Sequence, residues 1–201
     1  MDILGLFNRV TGAEYAFWTI VLAAMVLHLY PGSAQFLMRR LPDTPERLRR
    51  WHGYLYHHGA TLVLFGLPLA LMGPLGISGG AGTLLLPGDW TTGLLWTAIG
   101  CAVATVPTWL QNRDPEFRAE YPLTAAAFDD RRRFTLFTGS YLAYYLGWEA
   151  FFRGFIGFGL IGLGYPAFLA LMVQVSLSTI IHIGKPRMEL IGAIPGGLFM
   201  G

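Results

Sequence analysis

The chain has 201 residues, of which 54% are hydrophobic and only 13% charged, with a formal net charge of +2. Soluble domains carry about 25% charged residues, so this composition, with a mean hydropathy of +0.48, excludes an ordinary water-soluble domain. The small, dispersed positive charge excludes a nucleic-acid binder.

About 20 apolar residues in a helix cross hydrocarbon about 30 Å thick. The first such run, Tyr15 to Tyr30, extends past Pro31 toward Met38. No small-residue cleavage pattern follows it, so it reads as a span and not as a removable signal. A loop from Arg39 to Arg50 holds five arginines. The second run is Tyr54 to Gly76, followed by a Gly-rich segment to Trp90 without Lys or Arg. The third run is Thr91 to Leu110, with Cys101 in its middle as a small buried apolar residue. The loop Gln111 to Arg133 holds another five arginines, ending in Arg131, Arg132 and Arg133. The fourth run is Phe134 to about Leu163, and the fifth is Tyr165 to Ile183. A sixth begins near Leu190 and is cut short at Gly201. Aromatics near the run ends (Tyr15, Trp18, Tyr30, Trp51, Trp90, Trp109) suit the membrane interface.

The expected fold is therefore an all-α, polytopic transmembrane helix bundle of five full spans plus a truncated sixth, one integral membrane domain over residues 1–201. The positive-inside bias puts both arginine loops in the cytoplasm and the Gly-rich segment outside.

Two charges lie within the fourth run. Glu149 and Arg153 are spaced i, i+4, so a helix presents them on one face, where they can pair; ionisable residues at membrane depth are expensive and mark paired or functional positions. The turn Gly162-Leu-Gly-Tyr-Pro166 makes the fourth and fifth runs an antiparallel hairpin. Glu149 lies 15 residues before Gly164 and His182 lies 18 after it. At 1.5 Å per residue these are about 22 and 27 Å from the apex, within about one helical turn of the same depth. Gln174 and Ser178 share the His182 face. A carboxylate and an imidazole at one depth can hold a water or a metal and move a proton.

Trp-Glu149-Ala-Phe-Phe-Arg153-Gly154 resembles the Glu-Glu-x-x-x-Arg motif of the CAAX protease and bacteriocin-processing (CPBP) intramembrane proteases. Ser178-Thr-Ile-Ile-His182 is similar to that family's Phe-x-x-x-His motif, and Gly184-Lys-Pro-Arg-Met-Glu189 to a flank found in one branch. The resemblance covers residues 134–201. Trp148 stands where the first motif has its first glutamate, Ser178 where the second has Phe, and a third motif, a His with Asn or a similar residue four later, is not among the 201 residues. The resemblance implies an intramembrane metalloprotease in a multi-pass protein of the bacterial cytoplasmic membrane. In it Glu149 activates water, Arg153 orients Glu149, and His182 holds the water, the oxyanion or, with Glu149, a divalent metal such as zinc. The implied substrate is a peptide, as in a prenylated protein or a precursor, cut near the membrane surface.

Two other classes compete. His28, His57 and His58, with His182 at a similar level, could ligate a b-type haem or another metal; as plain residues they are side chains at the cytoplasmic helix ends, His57 and His58 opening the second span. The third class is a non-catalytic membrane scaffold or transporter part, with the glycines between Gly147 and Gly164 serving close helix packing.

Overall fold

A computed structural model describes residues 11–29, 45–72, 89–121 and 124–200, with the side chains of 45–52, 119, 120, 125 and 200 left aside. Every regular element among them is helical, and no strand occurs. The first run is α1 (Gly12–Leu29). Helix α2 (Pro45–Thr61) continues through a π-helical stretch (Leu62–Gly66) into α3 (Leu67–Met72). Then come α4 (Trp90–Gln111), the short α5 (Pro115–Glu120), a 3-10 turn (Ala125–Phe128) and α6 (Arg131–Glu149). A second π-helical stretch (Ala150–Phe158) runs on into α7 (Gly159–Gly162), and α8 (Ala167–Ile180) and α9 (Arg187–Met200) complete the order.

Short polar side chains start several of these helices by occupying free amides of the first turn. Thr11 and Glu14 make a reciprocal capping box on α1: the Thr11 amide donates to Glu14 Oε2 at 2.7 Å and the Glu14 amide to Thr11 Oγ1 at 3.2 Å. Asp89 caps α4 by accepting from the Thr91 and Thr92 amides. Asp114, followed by Pro115, starts α5, and Asp130 accepts from the Arg133 amide to start α6.

The core joins α1 to the helix running from α6 through its π-helical continuation. Phe17 stacks on Phe155 with ring centroids 5.1 Å apart, and Ile20, Ala24, Leu64, Phe151, Phe152 and Ile156 close around them. Helix α7 ends in a hydrogen-bonded reversal at Gly164, whose φ of +91° a residue with a Cβ adopts only with strain. The Gly164 amide donates to the Ile161 carbonyl and the Tyr165 amide to the Leu160 carbonyl, the paired bonds that close a helix with glycine. Tyr165 then donates its hydroxyl to Glu14 Oε1 at 2.7 Å, fastening the turn to the start of α1. At the opposite end, Tyr54 donates to the Arg133 carbonyl, and the Gly53 amide to Thr124 Oγ1.

Among the described residues two helices are long and apolar enough to cross a membrane, Gly12–Leu29 and Trp90–Gln111, where the sequence suggested five complete spans. The shortfall has local causes. The fourth run is helical from Phe134 to Gly162 but passes from α-helix to π-helix after Glu149, and the fifth is α-helical only over Ala167–Ile180, 14 residues, or about 21 Å. The second run differs at its start. Pro45, whose fixed φ suits a first helical position, begins the helix, so His57 and His58 lie well inside it and do not open it. Cys101 is exposed, not buried, because α4 buries none of its residues and touches α9 chiefly where Phe199 meets Trp96 and Gly100. Tyr30 to Met38, the Gly-rich segment 73–88, the Arg39–Arg40 pair and Gly201 lie outside the described residues.

Much of the outer surface is apolar: Leu22, Leu94, Val103, Leu146 and Phe168 are each more than 60% exposed. Soluble monomers rarely present large contiguous patches of this kind. A Cβ at Gly159 would sit 2.7 Å from Cε2 of Phe17, which is fully buried and pinned by Phe155. Gly159→Ala is expected to lower unfolding stability in detergent by about 1–3 kcal/mol, the range for overpacking. Gly162→Ala, which meets nothing within 4 Å, should change it far less; equal effects would contradict this packing.

Candidate functional site

The three residues singled out by sequence lie on the two arms of one helical hairpin. Glu149 is the last residue of α6, Arg153 lies one turn on in the π-helical stretch, and His182 follows α8. Glu149 and Arg153 form the expected pair, with Arg153 Nε 3.0 Å from Glu149 Oε2 and side chains 16% (Arg153) and 28% (Glu149) exposed. The contact is ionic and not hydrogen-bonded: Arg153 Nε and Nη1 are buried without a hydrogen-bond partner, so the N–H direction misses the carboxylate.

The hairpin brings the motif of α6 level with His182, but the residue that meets the imidazole is Trp148. Its ring lies 5.4 Å from that of His182, edge to face, whereas Glu149 and His182 share no hydrogen bond or ion pair among the described residues. Glu149 directly follows Trp148, a step of about 100° around a helix, and that rotation turns the carboxylate aside from the ring.

His182 is held from its own side of the hairpin. Its Nδ1 lies 2.6 Å from the Ser178 carbonyl, one turn back, and its Nε2 lies 3.6 Å from Glu189 Oε1. Gly184, with φ +90°, turns the chain so that Lys185 and Glu189 come up beside the ring. Lys185 Nζ donates to Glu189 Oε1 at 2.8 Å, and the Tyr121 hydroxyl donates to Glu189 Oε2 at 2.7 Å from across the loop after α5. Burial alone would lower the Lys185 pKa; the neighbouring Tyr56 and Glu189 outweigh it and raise it above the ordinary value. Sequence reading treated Lys185 as a topology marker and Glu189 only as part of a flank, although their i, i+4 spacing signalled a pair. Tyr121 carried no sequence signal.

The other polar residues of α8 serve packing. Ser178 donates its hydroxyl to the Val175 carbonyl, and Gln174 donates to the Gly197 carbonyl of α9. His57 is a buried histidine whose Nδ1 lies 2.9 Å from Ser140 Oγ and whose ring stacks on Tyr144. His58, its neighbour in sequence, is exposed. It borders an open, mostly apolar groove of about 750 Å³ between α2 and α6, with Arg133 at its edge. His28 is buried beside Tyr56 and Trp148, its Nδ1 without a hydrogen-bond partner.

No three His, Cys, Asp or Glu side chains gather as a metal-binding group among the described residues. The donor chemistry agrees, since the Arg153 guanidinium faces Glu149 and the Lys185 ammonium faces Glu189. A cation beside each carboxylate opposes a divalent ion, so these residues do not fit zinc.

Among the described residues, fold and site together define an all-helical arrangement with two helices long and apolar enough to cross a bilayer and a compact cluster of paired charges at one end. No family model, curated protein or solved structure matches the chain.

Arg153→Met would leave Glu149 partly buried without its cation. It should lower stability by about 1–3 kcal/mol, below the fully buried range because Glu149 is 28% exposed. Adding Glu149→Gln to Arg153→Met should recover most of that loss in thermal melts; a double variant no better than the single one would contradict the pairing.

Proposed function

We propose that the chain is a multi-pass helical membrane protein and, within it, an intramembrane endopeptidase of the CPBP type. The observation that carries this reading is the α6–α8 hairpin, which sets the Trp148–Arg153 motif level with His182, 5.4 Å from ring to ring, with Glu149 already clasped by Arg153. The apolar outer surface and the gathering of the arginine-rich α5–α6 segment with the His182 turn at one end of the bundle support a membrane setting.

In this reading Glu149 takes a proton from water as the water oxygen attacks the carbonyl carbon of a peptide bond. The proton then passes to the departing amine, and the carbon–nitrogen bond breaks. Arg153 holds the carboxylate in place, and His182, whose Nδ1 donates to the Ser178 carbonyl, holds the attacking water through Nε2. The substrate is a peptide segment of a prenylated or precursor protein presented at the membrane surface. No step passes through a metal.

One observation favours a second reading. Trp148 covers the side of His182 that faces α6, which suits a non-catalytic scaffold. The two readings separate in a cleavage assay with prenylated and precursor peptides. Glu149→Gln should reduce cleavage at least about 100-fold, the lower bound for losing a general base, while membrane abundance stays unchanged. Cleavage by the variant at the parental rate would remove Glu149 from the chemistry. A parent chain that cleaves nothing would favour the scaffold, and a haem absorption band in that protein would revive the His28, His57, His58 alternative.

A further inference from the structure

We infer that the groove between α2 and α6 takes an acyl chain of an anionic phospholipid, with the lipid phosphate held by Arg131 and Arg132; the inference rests on the membrane setting proposed above and not on the protease reading. The two helices run parallel and in contact. Tyr54 bonds to the Arg133 carbonyl, His57 lies against Ser140, and Thr61 lies against Gly147. Both helices therefore start at the same end of the bundle, the end where α6 opens on three arginines. Beside this contact lies the open groove of about 750 Å³. It exists because small residues stand where bulk would fill it: Gly139 and Ala143 on α6, Ala126 and Ala127 in the 3-10 turn. A Cβ added at Gly139 meets nothing within 4 Å.

The wall selects hydrocarbon. Its polar side chains are already engaged within the protein: Tyr54 donates to the Arg133 carbonyl, Thr135 to the Arg131 carbonyl and Ser140 to the Phe137 carbonyl, while Thr124 accepts from the Gly53 amide. Arg133 is paired with Asp129 at 3.2 Å and with Asp130 at 3.1 Å. Only His58, at the rim, adds a further polar group. A peptide backbone laid here would give up water for few partners. An acyl chain has no hydrogen bonds to lose.

Charge selects the headgroup. Arg132, Leu136, Gly139 and Ala143 are spaced i, i+4, i+7 and i+11, so they share one face of α6. Arg132 thus stands one turn beyond the groove's floor, which runs about 10 Å from Leu136 to Ala143. Arg131 lies beside it, one turn before Thr135. Both arginines are exposed, and neither side chain has an ion pair or hydrogen bond among the described residues. Asp129 and Asp130 are taken up by Arg133, and three arginines against two aspartates leave the segment net positive. Guanidinium groups match phosphate oxygens with paired N–H donors, and basic residues at a membrane surface favour anionic lipid.

The test uses phosphatidylglycerol and phosphatidylcholine with identical acyl chains, added to the full chain in detergent and read by native mass spectrometry. The chain should retain one phosphatidylglycerol in preference to phosphatidylcholine. Arg131→Gln combined with Arg132→Gln should lower phosphatidylglycerol retention about 10–30-fold, the scale for two basic residues near an anionic surface, to the level of phosphatidylcholine. Gly139→Leu, which grows into open space, should weaken both lipids while helicity and thermal unfolding match the parent. Equal retention of the two lipids by the parent overturns the inference, and so does a preference that survives both arginine substitutions. Undiminished binding in Gly139→Leu also overturns it, because the acyl chain then lies elsewhere. A dimer that Gly139→Leu dissociates gives the groove to a second copy and refutes the lipid. None of these results depends on peptide cleavage, so the protease reading stands or falls separately. A chain that stays in solution without detergent refutes the membrane setting and this inference together.

Discussion

The reversal at Gly164 is the constraint on which the rest of the molecule depends. It forces the long helix of α6, its π-helical continuation and α7 to lie against α8, and the Tyr165–Glu14 hydrogen bond fastens the turn to α1. The aromatic core then fills the space between them: Phe17 meets Phe155 near the turn, and Trp148 meets His182 near the other end. Because helices are stiff at 1.5 Å per residue, the turn decides which residue of α6 can face which residue after α8. Two π-helical stretches, a conformation that occupies well under 1% of residues in globular proteins, lie on neighbouring segments of this packing. Their wider turns redirect the large side chains from Phe151 to Ile156 into the core.

The site is governed by charge compensation. Each of its carboxylates carries its own cation, Arg153 for Glu149 and Lys185 for Glu189. Partly buried charges are tolerable in a low-dielectric setting when paired in this way. The same pairing limits the chemistry, because a carboxylate beside a cation is a poor ligand for a divalent ion. His182 donates from Nδ1 to the Ser178 carbonyl and turns Nε2 toward Glu189 Oε1 at 3.6 Å, and Trp148 covers its α6 side.

What could be read from the sequence was local or periodic. The hairpin followed from Gly162 to Pro166, the Glu149–Arg153 pair from i, i+4 spacing, and the common depth of the motif and His182 from counting residues. The first and third apolar runs became continuous helices of 18 and 22 residues. The angular position of Trp148 against Glu149 was beyond reach, since it depends on how α6 rotates as it packs on α2 and α8. Glu189 was hidden because its partners arrive from three places, and Tyr121, 68 residues away in sequence, is joined to it only by the fold. The contact of His57 Nδ1 with Ser140 Oγ, 83 residues on in sequence, is likewise made only by the fold.

The direct test is a distance. Magic-angle-spinning NMR on the chain in lipid bilayers, with tryptophan labelled with carbon-13 and histidine with nitrogen-15, should give a through-space correlation between the Trp148 indole and the His182 imidazole, whose rings are 5.4 Å apart. That correlation should vanish in Trp148→Leu. A spectrum in which His182 correlates with no tryptophan, under conditions where its contact with Ser178 is visible, would contradict the hairpin register from which the site is built.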